Sequence, residues 1–200
     1  MSEPLRERMT ANLARFERRG LTLGDKRAAA VALTVVAGDA PCLLLTRRPG
    51  HAKRHAHQFA LPGGRAEPGE VAETTARREL EEELGVALGA DAVLGVLDDF
   101  STRSGFVITP VVLWCDDRPE LRPDSGEVAE VYWVPLSVLT PDIVAEQASD
   151  DPARPILSMS LVGTTIFAPT AAMIFQFAEV ALHDRDTRVA HYEQPRFAWK

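Results

Sequence analysis

Three carboxylates with the spacing of one helix face carry the chemistry this chain could do: Glu79, Glu82 and Glu83, in the run Arg78-Glu79-Leu80-Glu81-Glu82-Glu83-Leu84. At about 100° per residue they fall within an arc roughly 100° wide, with Leu80 and Leu84 on its apolar edge. Like charges three and four residues apart destabilise a helix by a few tenths of a kcal/mol per pair, and Glu81 adds to the load. A positive partner is therefore expected. Clustered carboxylate oxygens are hard donors that suit Mg²⁺ or Mn²⁺, particularly where a bound phosphate completes the coordination. A solvated acidic face accounts for the glutamates alone equally well, so the surrounding pattern has to decide. Ahead of the run, Pro68-Gly69 marks a turn and Glu70 sits in the first helical turn; behind it, Gly85 offers a left-handed stop. The helix is predicted from about residue 71 to 84.

Arg47, Arg48, Lys53, Arg54, His55, His57 and Arg65 precede that loop as a local basic cluster in a chain of net charge −7. Polyphosphate needs compensating donors, and arginine suits fork-like contacts with phosphate oxygens. Ordinary solvated charge is the alternative. Arg103, in the polar turn 101–105, is a second candidate phosphate contact. Glu127 and Glu130 begin a later strand, and one of them could approach the helix carboxylates from outside.

The elements that must position these groups are legible in outline. Two hundred residues with 46% hydrophobic content support one sizeable core, so one domain is expected. A pI near 5.3 argues against a general nucleic-acid or anionic-membrane binder. Cys42 and Cys115 lack metal or disulfide spacing, and residues 1–19 lack a secretory apolar core; both fit the cytoplasm. Leu5, Met9, Leu13 and Phe16 predict an amphipathic helix ending near Gly20, followed by a connector at 21–26. Strands are predicted at 28–36 and 42–46, at 92–98 and 106–115, and at 128–134. A short helix is expected at 135–139, a mobile loop at 140–155, strand character at 157–167, and a helix beginning near Pro169. That last helix is apolar on both sides, which calls for burial by the sheet and by a second subunit. Together these pieces predict a mixed α/β domain with the acidic helix on one sheet face and the C-terminal helix on the other. The expected divisions are 1–26 for the N-terminal helix and connector, 27–185 for the main domain and 186–200 for a tail.

Gly64, five residues, Glu70, seven residues, Arg78-Glu79-Leu80, one residue, Glu82-Glu83, one residue, Gly85 and Val86 match the Nudix box at every defining position. The chain resembles a Nudix hydrolase. Leu44-Leu45-Thr46-Arg47-Arg48, Lys53 and Gln58-Phe59-Ala60-Leu61-Pro62-Gly63-Gly64 look like the signature that precedes the box in coenzyme A pyrophosphatases. Similarity continues through Leu97-Asp98-Asp99, Thr102 to Phe106, Ile108-Thr109-Pro110 and Glu127 to Val131, covering roughly residues 28–180. Pro49, His57 and Leu61 depart from that signature, which usually has a small residue, a glycine and a phenylalanine there. These departures bear on substrate rather than on hydrolysis.

The resemblance implies an α/β/α sandwich with a mixed central sheet and a loop-helix-loop catalytic motif. It implies that Glu79, Glu82 and Glu83 hold Mg²⁺ or Mn²⁺, that Glu82 or Glu83 activates water, and that Arg78 and Glu70 shape the loop and orient the carboxylates. Arg47, Arg48, Lys53, Arg54, Gly63, Gly64 and Arg103 are the substrate-binding candidates. The expected reaction cleaves the diphosphate of coenzyme A or a derivative to 3′,5′-ADP and (acyl-)4′-phosphopantetheine. Its partner is a small-molecule nucleoside diphosphate derivative, with no nucleic acid and no membrane, and a homodimer is a candidate assembly. The alternatives are hydrolysis of ADP-ribose, NADH or a nucleoside triphosphate, or a regulator that binds nucleotide without turnover.

Overall fold

The computed structural model describes residues 3–51 and 57–196. At its centre two strands, β1 (Arg27–Val36) and β7 (Phe106–Cys115), pair in parallel over their full length, from Arg27↔Phe106 to Val36↔Cys115. Each takes two antiparallel partners on its other edge, one for each half. β2 (Cys42–Arg47) joins β1 at Val35 and Val36, while β4 (Gly63–Arg65) takes Ala29, Ala30 and Val31. β5 (Val93–Val96) and β6 (Phe100–Ser101) divide β7 in the same way. β3 (Phe59–Ala60) and β8 (Glu130–Pro135) flank β2. The resulting sheet is mixed.

Both faces are buried, and the strand period of two sorts the side chains between them. Val31, Leu33 and Val35 of β1 join one core with Val112 and Trp114 of β7. Ala30, Ala32 and Val36 join the other with Val111, Leu113 and Cys115. The second core is covered by α2 (Ala72–Leu84), through Ala76, Leu80 and Leu84. Small alanines on β1 let that helix approach closely. The first core is covered by Met9 and Leu13 of α1 (Glu3–Arg15) and by Ile174 and Phe177 of α3 (Thr170–Phe177), which runs into a wider turn at Ala178–Leu182. These are the three layers the sequence predicts.

Four expectations need correction. The N-terminal helix stops at Arg15 rather than near Gly20. The chain beyond it is held by two buried aspartates instead: Asp98 accepts from Arg19 N at 2.7 Å, and Asp99 accepts from Leu21 N at 2.8 Å and Arg18 Nη2 at 2.6 Å. The stretch 140–155 is not all loop, because β9 (Val144–Gln147) pairs antiparallel with β10 (Ile156–Leu161). The run 157–167 is not one strand. It is a hairpin of β10 and β11 (Thr164–Phe167), turned at Val162 and Gly163 with φ of 48° and 75°, the left-handed pair that suits right-twisted strands. Finally, α3 needs no second subunit to bury it. Within this one chain its residues are buried almost throughout, against the sheet, β10 and β11.

Asp98 also accepts from Arg188 Nη1 at 3.0 Å through both oxygens and from Gln176 Nε2 at 3.1 Å. It therefore ties the N-terminal connector, α3 and the C-terminal segment to the end of β5. Removing one partner of a buried ion pair strands the other charge, at a cost of about 3 kcal/mol. Asp98→Ala is expected to lower the unfolding free energy by about that amount in urea titration, against well under 1 kcal/mol for breaking the exposed Arg122–Glu120 pair.

Candidate active site

α2 begins at an extended Val71 after the Gly69 turn (φ 87°) and ends at Gly85 (φ 71°), whose N–H donates to Glu81 O at 2.8 Å. Two carbonyls left over at the helix end are taken by the following loop: Arg122 N donates to Leu84 O at 2.8 Å and Asp124 N to Glu83 O at 2.9 Å. That loop brings Glu127 electrostatically close to Glu79 and Glu83. The sequence offers Glu127 and Glu130 alike as acids that could approach this face; the contact that selects Glu127 joins residues about forty apart and leaves no local pattern.

Arg78 organises the acidic face. Its Nε donates to Glu70 Oε1 at 3.0 Å, Nη1 to Glu79 Oε1 at 2.8 Å and to Glu82 Oε2 at 3.1 Å, and Nη2 to Arg65 O at 3.1 Å and Glu70 Oε2 at 3.2 Å. Glu70 also accepts from Glu67 N and Thr75 Oγ1, each at 2.9 Å. Led by the Arg78 hydrogen bond, these donors hold its carboxyl down at about 2. The same carboxylate raises Arg78 further above its ordinary value.

The three helix glutamates occupy different surroundings. Glu82 is open to solvent, its side chain 60% exposed, whereas Glu83 is 5% exposed. Glu83 Oε1 accepts from Gly63 N at 3.1 Å. Burial pushes its carboxyl up to about 8, with the charges of Glu127 and Glu79 adding to the rise and Gly63 N–H and Arg48 opposing it. Burial likewise raises Glu79. Of the two glycines below them, Gly63 is required by the backbone it packs against, and Gly64 leaves room for the Glu79 carboxylate. A Cβ on Gly63 would lie 2.4 Å from Ala30 O, and one on Gly64 would lie 2.4 Å from Glu79 Oε1.

Negative charge exceeds its compensation here, and every donor is a hard oxygen, so the residues fit a divalent cation. Among the described residues no three His, Cys, Asp or Glu side chains already converge into a cation cage, because Arg78 draws Glu79 and Glu82 to itself.

Beside the glycines lies a cavity of about 370 Å³, within the range of ligand pockets. Val31, Leu61, Phe106 and Met173 give it apolar walls, and Arg48 and Gly63-Gly64 lie on the side of the carboxylates. The structure thus gathers Glu70, Arg78, Glu79, Glu82, Glu83, Gly63, Gly64 and Arg48. It does not gather the rest of the basic cluster. Arg47 is engaged by Glu130 on β8, and Arg103 by the buried Glu193. Lys53 and Arg54 lie outside the described residues. His57 takes φ 61°, the left-handed region where glycine is favoured, and its ring fills the space a Cβ on Gly50 would need.

Glu70 should act as a structural support whose value depends on pH. Its folded pKa is depressed, so its contribution is complete above the ordinary value of about 4.5 and is lost as pH falls toward 2. Glu70→Gln is expected to cost about 2 kcal/mol at pH 7, and the difference from wild type should shrink in urea titrations repeated between pH 5 and pH 3.

A family model described as the NUDIX domain matches residues 25–156. The Uncharacterized Nudix hydrolase NudL of Yersinia enterocolitica is 41% identical over 109 residues, covering 54% of this chain and 56% of that protein. The protein of the same name from Pectobacterium atrosepticum is 40% identical over 114 residues, covering 56% and 59%. The chain thus spans a little over half the length of the curated relatives it matches. A solved MutT/nudix family protein from Enterococcus faecalis superposes with a TM-score of 0.56 at 20% identity, covering 78% of this chain and 62% of that one, a likeness of fold. With a family match over most of its length and the box on a helix above a mixed sheet, the chain belongs to the Nudix family.

Proposed function

We propose that this protein is a divalent-metal-dependent hydrolase that cleaves the diphosphate of coenzyme A or a derivative into 3′,5′-ADP and (acyl-)4′-phosphopantetheine. The observation that carries this reading is the double role of Gly63-Gly64. Gly63 N–H holds Glu83 on one side, and both glycines line the cavity on the other. A diphosphate lying across them would meet the carboxylate face while its organic arm entered the apolar pocket. The signature around Arg47 to Gly64 supports coenzyme A as the substrate.

Glu79, Glu82 and Glu83 would hold Mg²⁺ or Mn²⁺. Such a cation, when bound, neutralises phosphate charge and acidifies water. Arg78 bridges Glu79 and Glu82 and fixes the loop through Glu70 and Arg65 O. Arg48, which lines the cavity, would face the phosphates. Glu82 or Glu83 takes the proton of the attacking water as its oxygen bonds to phosphorus and the bridging P–O bond breaks. One water is consumed and two monophosphates leave. Among the described residues no helix is long and apolar enough to cross a membrane.

Product analysis in ¹⁸O-labelled water, with Mg²⁺ or Mn²⁺ and coenzyme A, acyl-coenzyme A, ADP-ribose and NADH, tests this. Coenzyme A should yield the two monophosphates, one carrying a single ¹⁸O. Loss of a metal ligand or base is expected to reduce kcat by about 10²–10⁴ in Glu82→Gln or Glu83→Gln. Preferential cleavage of ADP-ribose or NADH would remove coenzyme A from the assignment, and tight binding without any product would indicate a regulator.

A further inference from the structure

The C-terminal segment is held at the mouth of the cavity by a set of contacts that the proposed reaction does not use. Glu193 is buried, yet it is charged and fully engaged. Arg103 Nε donates to its Oε1 at 3.1 Å, Arg103 Nη2 donates to Oε2, and Arg154 Nη1 stands 3.7 Å away. Its backbone N–H donates to Pro155 O at 2.9 Å. One residue on, Gln194 is 3% exposed; its N–H donates to Glu193 Oε1 at 2.8 Å and its Oε1 accepts from Arg103 N at 2.7 Å. Just before it, Tyr192 OH donates to Glu146 of β9 at 2.6 Å.

Gln194 lines the cavity, and so do Thr102, Ser104 and Phe106 of the turn it grips. That turn is tied on one side to the start of β1, where Lys26 Nζ donates to Thr102 O at 3.2 Å and Arg27 N to Gly105 O at 3.0 Å. It is closed by local bonds, Phe106 N to Thr102 Oγ1 at 3.0 Å and Ser104 Oγ to Thr102 Oγ1 at 3.1 Å, with Gly105 at φ 86°. Part of the cavity lining is therefore made by two segments some ninety residues apart, clasped through Arg103, Glu193 and Gln194. An unpaired buried carboxylate would be costly, so the clasp holds only while Arg103 is in place.

We propose that the C-terminal segment forms the outer wall of the substrate pocket, with Glu193 as the positioning residue that locks Gln194 and the 102–106 turn around the organic arm of the substrate. The inference rests on the hydrolase reading above. It also gives Arg103 a different task from phosphate binding: its guanidinium is the bolt of the wall. Glu193 bonds to Arg103 and Pro155, whereas the helix carboxylates bond to Arg78 and Gly63, so the wall should affect how tightly the arm is held and not the chemical step.

Steady-state kinetics of the full chain separate the possibilities, using Mn²⁺ and whichever of coenzyme A, ADP-ribose and NADH wild type cleaves. Glu193→Gln keeps the shape and removes the charge, Gln194→Ala removes the wall side chain alone, and Arg196→Ala breaks the exposed Arg196–Asp150 pair as a control. Glu193→Gln and Gln194→Ala are expected to raise KM about tenfold with kcat within about twofold and an unchanged Mn²⁺ requirement, with no change in the control. Thermal unfolding of each variant shows that it is folded, and Gln194→Ala decides the matter if Glu193→Gln does not fold. An unchanged KM, or a loss confined to kcat, overturns the wall while leaving the hydrolase reading intact. A fall in KM overturns it too, because Glu193 would then be withholding Arg103 from phosphate. No turnover of any substrate by folded wild type overturns the hydrolase reading and this inference with it.

Discussion

Glu79 and Glu82 stand close enough on α2 to share one donor, Arg78 Nη1, at 2.8 and 3.1 Å, and carboxylates so placed repel unless a cation lies between them. Arg78 supplies that charge in the structure described here, and the remainder of the site is arranged to keep Arg78 where it is. Glu70 takes the other edge of the guanidinium, Arg65 O takes a third direction, and Glu67 N and Thr75 Oγ1 fix Glu70 in turn. One guanidinium is still too little for the face as a whole. Glu83 accepts from Gly63 N–H, and Glu127 adds a further negative charge nearby.

The sheet makes this crowding affordable in space. β1 gives its lower half to β4, which places Gly63 and Gly64 directly under α2; a Cβ at 63 would strike the β1 backbone, and one at 64 would displace the Glu79 carboxylate. Alanines at 30 and 32 on the same face bring the helix down, while valine and leucine at 31, 33 and 35 fill the opposite core. The split of β1 between β2 and β4 also opens the cavity beside the glycines. Carboxylates and cavity therefore share a wall because the same short strand builds both.

What was legible in the sequence is what is local. The arc of Glu79, Glu82 and Glu83, the stop at Gly85 and the alternation along β1 all follow from periods of a few residues, and the structure places them accordingly. What was not legible depends on distant partners. β9 is polar and mostly exposed, so only its pairing with β10 makes it a strand. Arg103 reads as a candidate phosphate contact until Glu193, ninety residues later, arrives beside it. Apolar residues around α3 suggested a partner subunit because the sequence does not show α1, β10 and β11 closing over the same core. His57 sits between these cases. It stands where the family signature has a glycine, and its backbone takes the positive φ that glycine favours.

The claim on which the account stands is that the α2 carboxylates hold a divalent cation, and Mn²⁺ binding followed by electron paramagnetic resonance tests it without requiring any substrate. Wild type should remove free-ion signal as Mn²⁺ is titrated, and the double variant Glu79→Gln/Glu83→Gln, still folded by circular dichroism, should leave that signal nearly intact. A double variant that binds Mn²⁺ as wild type does would contradict the assignment of the site to this helix face.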